Sequence, residues 1–109
     1  MSLARSHAHG ELNFLYQEMS SLRDELYKIH ERMKKQENYC PNVQELDRYA
    51  ERIGNFISKN HKYLNQNKQH LMNAIVDLTE IPVMHPKMQR IAIYTAIKVA
   101  CDNIEKFGR

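Results

Sequence analysis

Residues 42–80 read NVQELDRYAERIGNFISKNHKYLNQNKQHLMNAIVDLTE. Seam positions recur here at alternating steps of three and four, the spacing of a helix that packs along one narrow stripe. They are Val43, Leu46, Ala50, Ile53, Ile57, Asn60, Leu64, Asn67, Leu71, Ala74 and Leu78. Asn42 is a suitable N-cap, and Glu45 can reach back to the cap's own amide. The pattern therefore predicts one long central helix over 42–80.

Two asparagines, Asn60 and Asn67, interrupt this seam. Because buried side-chain amides need hydrogen-bond partners, three interpretations stay open. The asparagines fix register and oligomeric state, or they mark where the helix leaves the core, or the helix breaks there. The polar composition of 55–73 favours the second interpretation, and Gly54 is a candidate position for a kink.

A shorter helix is predicted on each side of the central one. The first, over 11–37, has its seam at Leu12, Leu15, Met19, Leu22, Leu26, Ile29 and Met33. Pro41 ends it, and the two prolines of 81–86 form the second turn before a third helix over 86–107. That helix has one stripe at Ile93, Ile97, Ala100, Ile104 and Phe107 and another at Met88, Ala92, Ala96 and Val99. So wide an apolar surface predicts contact from two sides.

Charges beside the first seam have two interpretations. The flanking heptad positions give Glu18 with Arg23, Glu25 with His30, and Arg32 with Glu37, which are complementary pairs across a parallel dimer. The same side chains also suit a solvated helix face supported by local pairs such as Asp24 with Lys28 and Glu31 with Lys35.

These lengths predict an all-α fold: a disordered tail over 1–10, then a single domain over 11–109. Short turns make neighbouring helices antiparallel, which gives a three-helix bundle with a long central helix and coiled-coil-like packing. The central helix is longer than either companion, so we expect a homodimer to complete the bundle. The candidate self-association residues are Ile91, Tyr94, Ile97, Val99, Cys101 and Ile104.

One stretch has a charge imbalance, since no acidic residue lies between Glu51 and Asp77. The candidate contacts to nucleic acid or an acidic partner are Arg52, Lys59, Lys62, Tyr63 and Lys68. A solvated helix face is the other interpretation. The net charge of only +3 favours it, as does the lack of a nucleic-acid-binding motif.

Catalytic and metal-binding patterns are missing from the sequence. Cys40 and Cys101 form neither a disulfide framework nor a zinc spacing, and there is no glycine-rich phosphate loop. No apolar run approaches the roughly 18 residues of a membrane span. We therefore predict a cytoplasmic protein that is not an enzyme, binds no cofactor or metal and does not enter a membrane.

The pattern as a whole predicts a helical protein–protein interaction module. Such a module would be structural, adaptor or chaperone-like, and it would bind a second copy or another helix. The alternative is a nucleic-acid-binding accessory protein that uses the basic stretch 52–70.

Overall fold

A computed structural model of the chain describes the backbone of residues 2–108 and the side chains of residues 14–108. This part of the chain contains four α-helices and no strand. They are α1 Ser2–Lys35, α2 Val43–Asn60, α3 Lys68–Met84 and α4 Gln89–Phe107. Single 3-10 turns, His61–Tyr63 and Pro86–Met88, lie before α3 and α4. The predicted all-α class is confirmed, but the described chain has four helices where three were predicted.

The predicted central helix over 42–80 is two helices. α2 continues through Gly54 and ends at Asn60, and α3 begins eight residues later at Lys68. In the turn between them, the backbone N–H groups of Asn65 and Asn67 each donate to the other's side-chain oxygen, at 3.4 and 3.2 Å. Asparagine side chains that bond the nearby backbone compete with helical hydrogen bonds. A break is therefore the correct interpretation of the seam asparagines, and the favoured one, exposure of a continuous helix, was wrong.

The break lets α3 fold back beside α2. Arg23 in the middle of α1 pairs with Glu105 near the end of α4, while Arg90 at the start of α4 donates to the carbonyl of Met33 near the end of α1. These contacts make α1 and α4 antiparallel. α3 packs against both α2 and α4. On the remaining side of the bundle, Arg52 of α2 forms an ion pair with Glu25 of α1. The four helices form an antiparallel bundle in the spatial order α1, α4, α3, α2.

The core follows the predicted seams closely. Buried seam residues are Leu15, Met19, Leu22, Leu26, Met33, Leu46, Ala50, Ile53, Leu71, Ala74, Leu78, Ile93, Ile97, Ala100, Ile104 and Phe107. The predicted two-sided contact of the last helix is confirmed, because α4 packs against α1 and α3. Both neighbours belong to the same chain, so the wide apolar surface of α4 does not require a second copy.

The reason for predicting a dimer does not hold for this structure. It depended on a central helix too long to be covered within one chain, and the structure contains no such helix. Four helices of the same chain bury one another instead. Dimerisation itself stays a prediction.

The end of α3 also differs from the prediction, which placed a turn over 81–86. The helix runs through Pro82 to Met84, and the ring of Pro82 is fully buried. Proline costs a helix one backbone hydrogen bond. Burial of the ring offsets part of that cost.

At the N-terminus, α1 begins at Ser2, within the segment 1–10 that was predicted to be a disordered tail. Side chains are described only from Phe14 onward, so the seam position Leu12 lies outside the described side chains. That residues 1–10 lie outside the packed helical domain stays a prediction.

Candidate protein-binding surface

Exposed apolar side chains concentrate on two consecutive parts of the chain, α3 and the start of α4. Nine large ones are exposed among residues 14–108, and six of these lie on α3 or near the start of α4. The six are Met72, Val76, Val83, Met84, Met88 and Ile91. Single exposed apolar residues are ordinary, whereas clusters of them are typical of interaction sites. α3 and the start of α4 therefore carry the candidate functional surface.

A groove of about 220 Å³ lies between the end of α3 and the start of α4. Its lining residues are Ile81, His85, Met88, Ile91, Ala92 and Thr95, and we call it the α3–α4 groove. None of them carries a carboxylate, ammonium or guanidinium group. Met88 and Ile91 are 57% and 59% exposed, so apolar side chains at the rim contact water.

The shape of the groove follows from residue sizes along α4. Ala92, Ala96 and Ala100 recur every four residues, which puts them on one face, and all three are buried. Small residues on that face allow α3 and α4 to approach closely. The larger side chains of Ile81 and Ile91 line the same groove. The groove is therefore deepest at the small side chain of Ala92.

A hydrogen-bonded polar pair lies beyond one end of the groove. Asp77 precedes Ile81 by one turn of α3, and Asn103 follows Thr95 by two turns of α4, so the pair shares this side of the bundle. The Asn103 amide donates to the Asp77 carboxylate at 2.7 Å. Burial raises the pKa of Asp77, and the bond from Asn103 partly opposes that effect. The apolar groove thus leads to a partly desolvated carboxylate.

Most of the predicted self-association residues are not on this surface. Ile97, Cys101 and Ile104 are buried in the core of the single chain. Tyr94 and Val99 are half-buried, and only Ile91 lies in the α3–α4 groove. The buried three were misassigned because α1 covers the side of α4 that the sequence left without a partner. As the structure stands, they are not accessible to a second copy.

The predicted basic contacts separate into two groups. Lys59, Lys62, Tyr63 and Lys68 are exposed or half-exposed around the turn between α2 and α3. Arg52 precedes Lys59 by seven residues on α2 and lines a pocket with it, and its guanidinium donates to both oxygens of Glu25, at 3.0 and 2.9 Å. Arg52 therefore differs from the lysines in being paired with a carboxylate of α1, although it lies on the same face of α2 as Lys59.

His30 is a polar group that the sequence did not place in the core. It is 6% exposed, and neither ring nitrogen has a hydrogen-bond partner among the described residues. Its ring stacks on Tyr94 of α4 at 4.0 Å between centroids, and Tyr27 lies near the other side at 6.0 Å. Burial lowers the pKa of His30. Its spacing from Leu26 and Met33, four and three residues away, was the signal that could have revealed a core position.

Below this stack, Arg23 and Cys101 complete the contact between α1 and α4. The Arg23 guanidinium pairs with Glu105 and lies 4.9 Å from the centre of the Tyr27 ring. The Cys101 sulfur lies 3.8 Å from the carbonyl oxygen of Arg23. Burial raises the pKa of the Cys101 thiol to about 11. At neutral pH this thiol is protonated and shielded, unlike a nucleophilic cysteine.

Other kinds of site have little support in the described residues. They contain no group of three metal-ligating His, Cys, Asp or Glu side chains. No helix among them combines the length and apolar composition that crossing a membrane requires. Comparisons of the chain with protein-family models, with curated proteins and with solved structures gave no match. Function is therefore inferred from the surface of the molecule itself.

Proposed function

We propose that this protein is a non-enzymatic helix-binding module of the structural, adaptor or chaperone-like class. Its α3–α4 groove would receive the apolar face of an amphipathic helix from a partner protein. The observation that carries the proposal is the concentration of exposed apolar side chains on α3 and at the start of α4. The groove also has one titratable lining side chain, His85, and no second acid or base to work with it.

A helix suits this groove in shape and in chemistry. Amphipathic helices bind in apolar grooves through side chains spaced three, four and seven residues apart. From Met84 back to Asp77 is seven residues, about 10 Å or two turns at the standard helical rise. The flexible side chains of Met84 and Met88 adapt to anchors of different shape. The lack of carboxylate, ammonium and guanidinium groups in the lining makes the groove a better match for an apolar helix face than for a charged one.

The proposal is tested with a displayed library of amphipathic helices of about five turns, varied at their apolar anchor positions. We expect clones that bind wild type but bind Met88→Glu and Ile91→Glu at least about tenfold more weakly, because each variant puts a charge against the apolar anchors. Both positions are more than half exposed, so folding should be unaffected. Phe14→Glu, at an apolar position of α1 that is 70% exposed and lies outside this surface, is the matched control and should bind like wild type.

Two outcomes would reject the proposal. One is a library without binding clones, and the other is a set of clones that bind the two groove variants as tightly as wild type. A second copy of the chain is tested separately by light scattering after size-exclusion chromatography. A stable dimer that Ile91→Glu dissociates would assign the groove to self-association instead of a foreign helix.

Nucleic acid is a second candidate because Lys59, Lys62, Tyr63 and Lys68 reach the surface together at the turn between α2 and α3. If this cluster binds phosphates, affinity for single-stranded RNA or DNA should fall steeply with added salt. Replacing the three lysines by Glu should abolish that binding and leave helix binding unchanged. Undetectable binding by gel shift at low salt would eliminate this candidate.

A further inference from the structure

The Asp77 carboxylate is an unusual group to find beside an apolar groove. It is half-buried, and the hydrogen bond that it accepts comes from the neutral amide of Asn103. Among the described residues, no lysine, arginine or histidine lies within ion-pair distance of it. By contrast, Glu25 and Asp102 each pair with a cation of the same chain. Asp77 thus carries a partly desolvated charge that has no counter-ion among the side chains of residues 14–108.

We propose that the pair formed by Asp77 and Asn103 selects partner helices that carry a lysine or arginine beyond their apolar anchors. This inference rests on the proposed function of the α3–α4 groove and specifies the partner that the groove accepts. The groove supplies apolar contact that many helices satisfy. The carboxylate adds a requirement that only some of them meet.

Helix geometry fixes where the partner's cation must be. Asp77 lies four residues before Ile81 and seven before Met84, so its side chain follows theirs along one side of α3. A partner helix beside α3 would place its first anchor opposite Met84 and its second opposite Ile81, about one turn apart. A further turn brings its next side chain opposite Asp77. The expected pattern is therefore apolar, apolar, basic, at successive steps of three or four residues.

The chemistry favours a cation over a neutral partner. A carboxylate that has lost part of its water gains more from a charge-assisted hydrogen bond than from a neutral one. Docking of a helix would remove still more water from Asp77. A partner with a neutral or acidic residue at this position would then leave the charge uncompensated, which disfavours binding. Asn103 holds one carboxylate oxygen and so orients the group for its partner.

The experiment uses the same displayed helix library against wild type, Asp77→Asn and Asp102→Asn. The Asp77→Asn substitution keeps the shape of the side chain and a hydrogen bond with Asn103 but removes the charge. Asp102, which pairs with Lys98 on α4, is the matched control for loss of a carboxylate outside the groove. We expect lysine and arginine to be enriched one turn beyond the anchors in clones selected on wild type and on Asp102→Asn, but not on Asp77→Asn.

A leading clone is then synthesised with arginine or glutamine at that position, and its affinity is measured by fluorescence anisotropy. On wild type the arginine peptide should bind about tenfold more tightly than the glutamine peptide, and on Asp77→Asn the two should be equal. The inference is overturned if groove-dependent clones show no basic preference, or if the preference persists on Asp77→Asn. In those cases the groove still binds helices. Clones that bind Met88→Glu and Ile91→Glu as tightly as wild type would instead reject the proposed function itself.

Discussion

Replacing Ile97 by Ala is expected to lower the free energy of unfolding by about 2–5 kcal/mol, the range for deleting a fully buried aliphatic side chain. Ile97 lies in α4 with none of its surface exposed, between the two helices that cover this side of the bundle. Truncation removes contacts and leaves a cavity that the surrounding helices fill only in part. Urea unfolding followed by circular dichroism measures the effect.

The matched control for this prediction is Ile91→Ala on the same helix. Ile91 is 59% exposed, so its truncation should change the free energy of unfolding by less than about 0.5 kcal/mol. The loss in Ile97→Ala should also be independent of protein concentration, since the side chain is buried within one chain. If the loss instead varied with protein concentration, Ile97 would belong to an interface between copies.

The two isoleucines illustrate which parts of the fold could be predicted from sequence. Ile97 belongs to a stripe spaced by three and four residues, and such spacing identified a core position without any knowledge of neighbours. What spacing could not supply was the identity of those neighbours. Ile97 was therefore placed correctly on an apolar stripe, but the structure buries it within one chain, where the prediction put it on a surface for a second copy.

The number of helices was missed for a related reason. Asn60, Leu64 and Asn67 keep the alternation of three and four, so the pattern continues unbroken across the turn between α2 and α3. Periodicity alone does not distinguish one helix from two whose seams are in phase. The useful signal was chemical. Only Leu64 of these three is apolar, and a continuous helix would gain little by burying that segment, whereas a turn brings the apolar face of α3 against α2 and α4.

The candidate site was the least predictable part of the molecule. Val83 and Met84 were assigned to a turn because prolines flank them, whereas α3 continues through the buried Pro82 to Met84. Met88 was assigned to the same apolar stripe as Ala92, but it lies in the 3-10 turn before α4, and nothing in the sequence indicates that it stays exposed. A binding groove requires apolar side chains that the fold leaves uncovered, which becomes visible only when all the helices are in place.

The His30 stack leads to the second large effect, a loss of stability in acid that His30→Phe should remove. Burial is the main cause that lowers the pKa of His30. On α1, Glu31 opposes this effect and Lys34 reinforces it, while on α4 Lys98 reinforces it and Asp102 opposes it. The rings of Tyr27 and Tyr94 stack on the His30 ring, and their contact faces add no charged group. The net result is that the folded chain holds His30 neutral at a pH where the unfolded chain protonates it.

The sign follows from counting protons in the two states. Above the ordinary histidine pKa of 6.5, His30 is neutral in both states and adds nothing to the pH dependence of stability. As the pH falls below that value, His30 is protonated in the unfolded state but not in the folded state. The free energy of unfolding therefore decreases by at most about 1.4 kcal/mol per pH unit. The decrease stops once the pH passes the lowered pKa of the folded state. At pH 5 the accumulated loss is at most about 2 kcal/mol.

Carboxylates such as Glu25, whose pKa is lowered by its bonds to Arg52, also make the protein less stable in acid, so the comparison must subtract them. His30→Phe keeps an aromatic ring against Tyr94 but cannot be protonated. Urea unfolding of both proteins between about pH 7.5 and 5 should show the wild type losing more stability than the variant, and the difference should begin near the ordinary histidine pKa of about 6.5. Parallel curves across that range would mean that His30 is protonated in the folded chain as readily as in the unfolded one, which is incompatible with a ring whose two nitrogens are buried without partners.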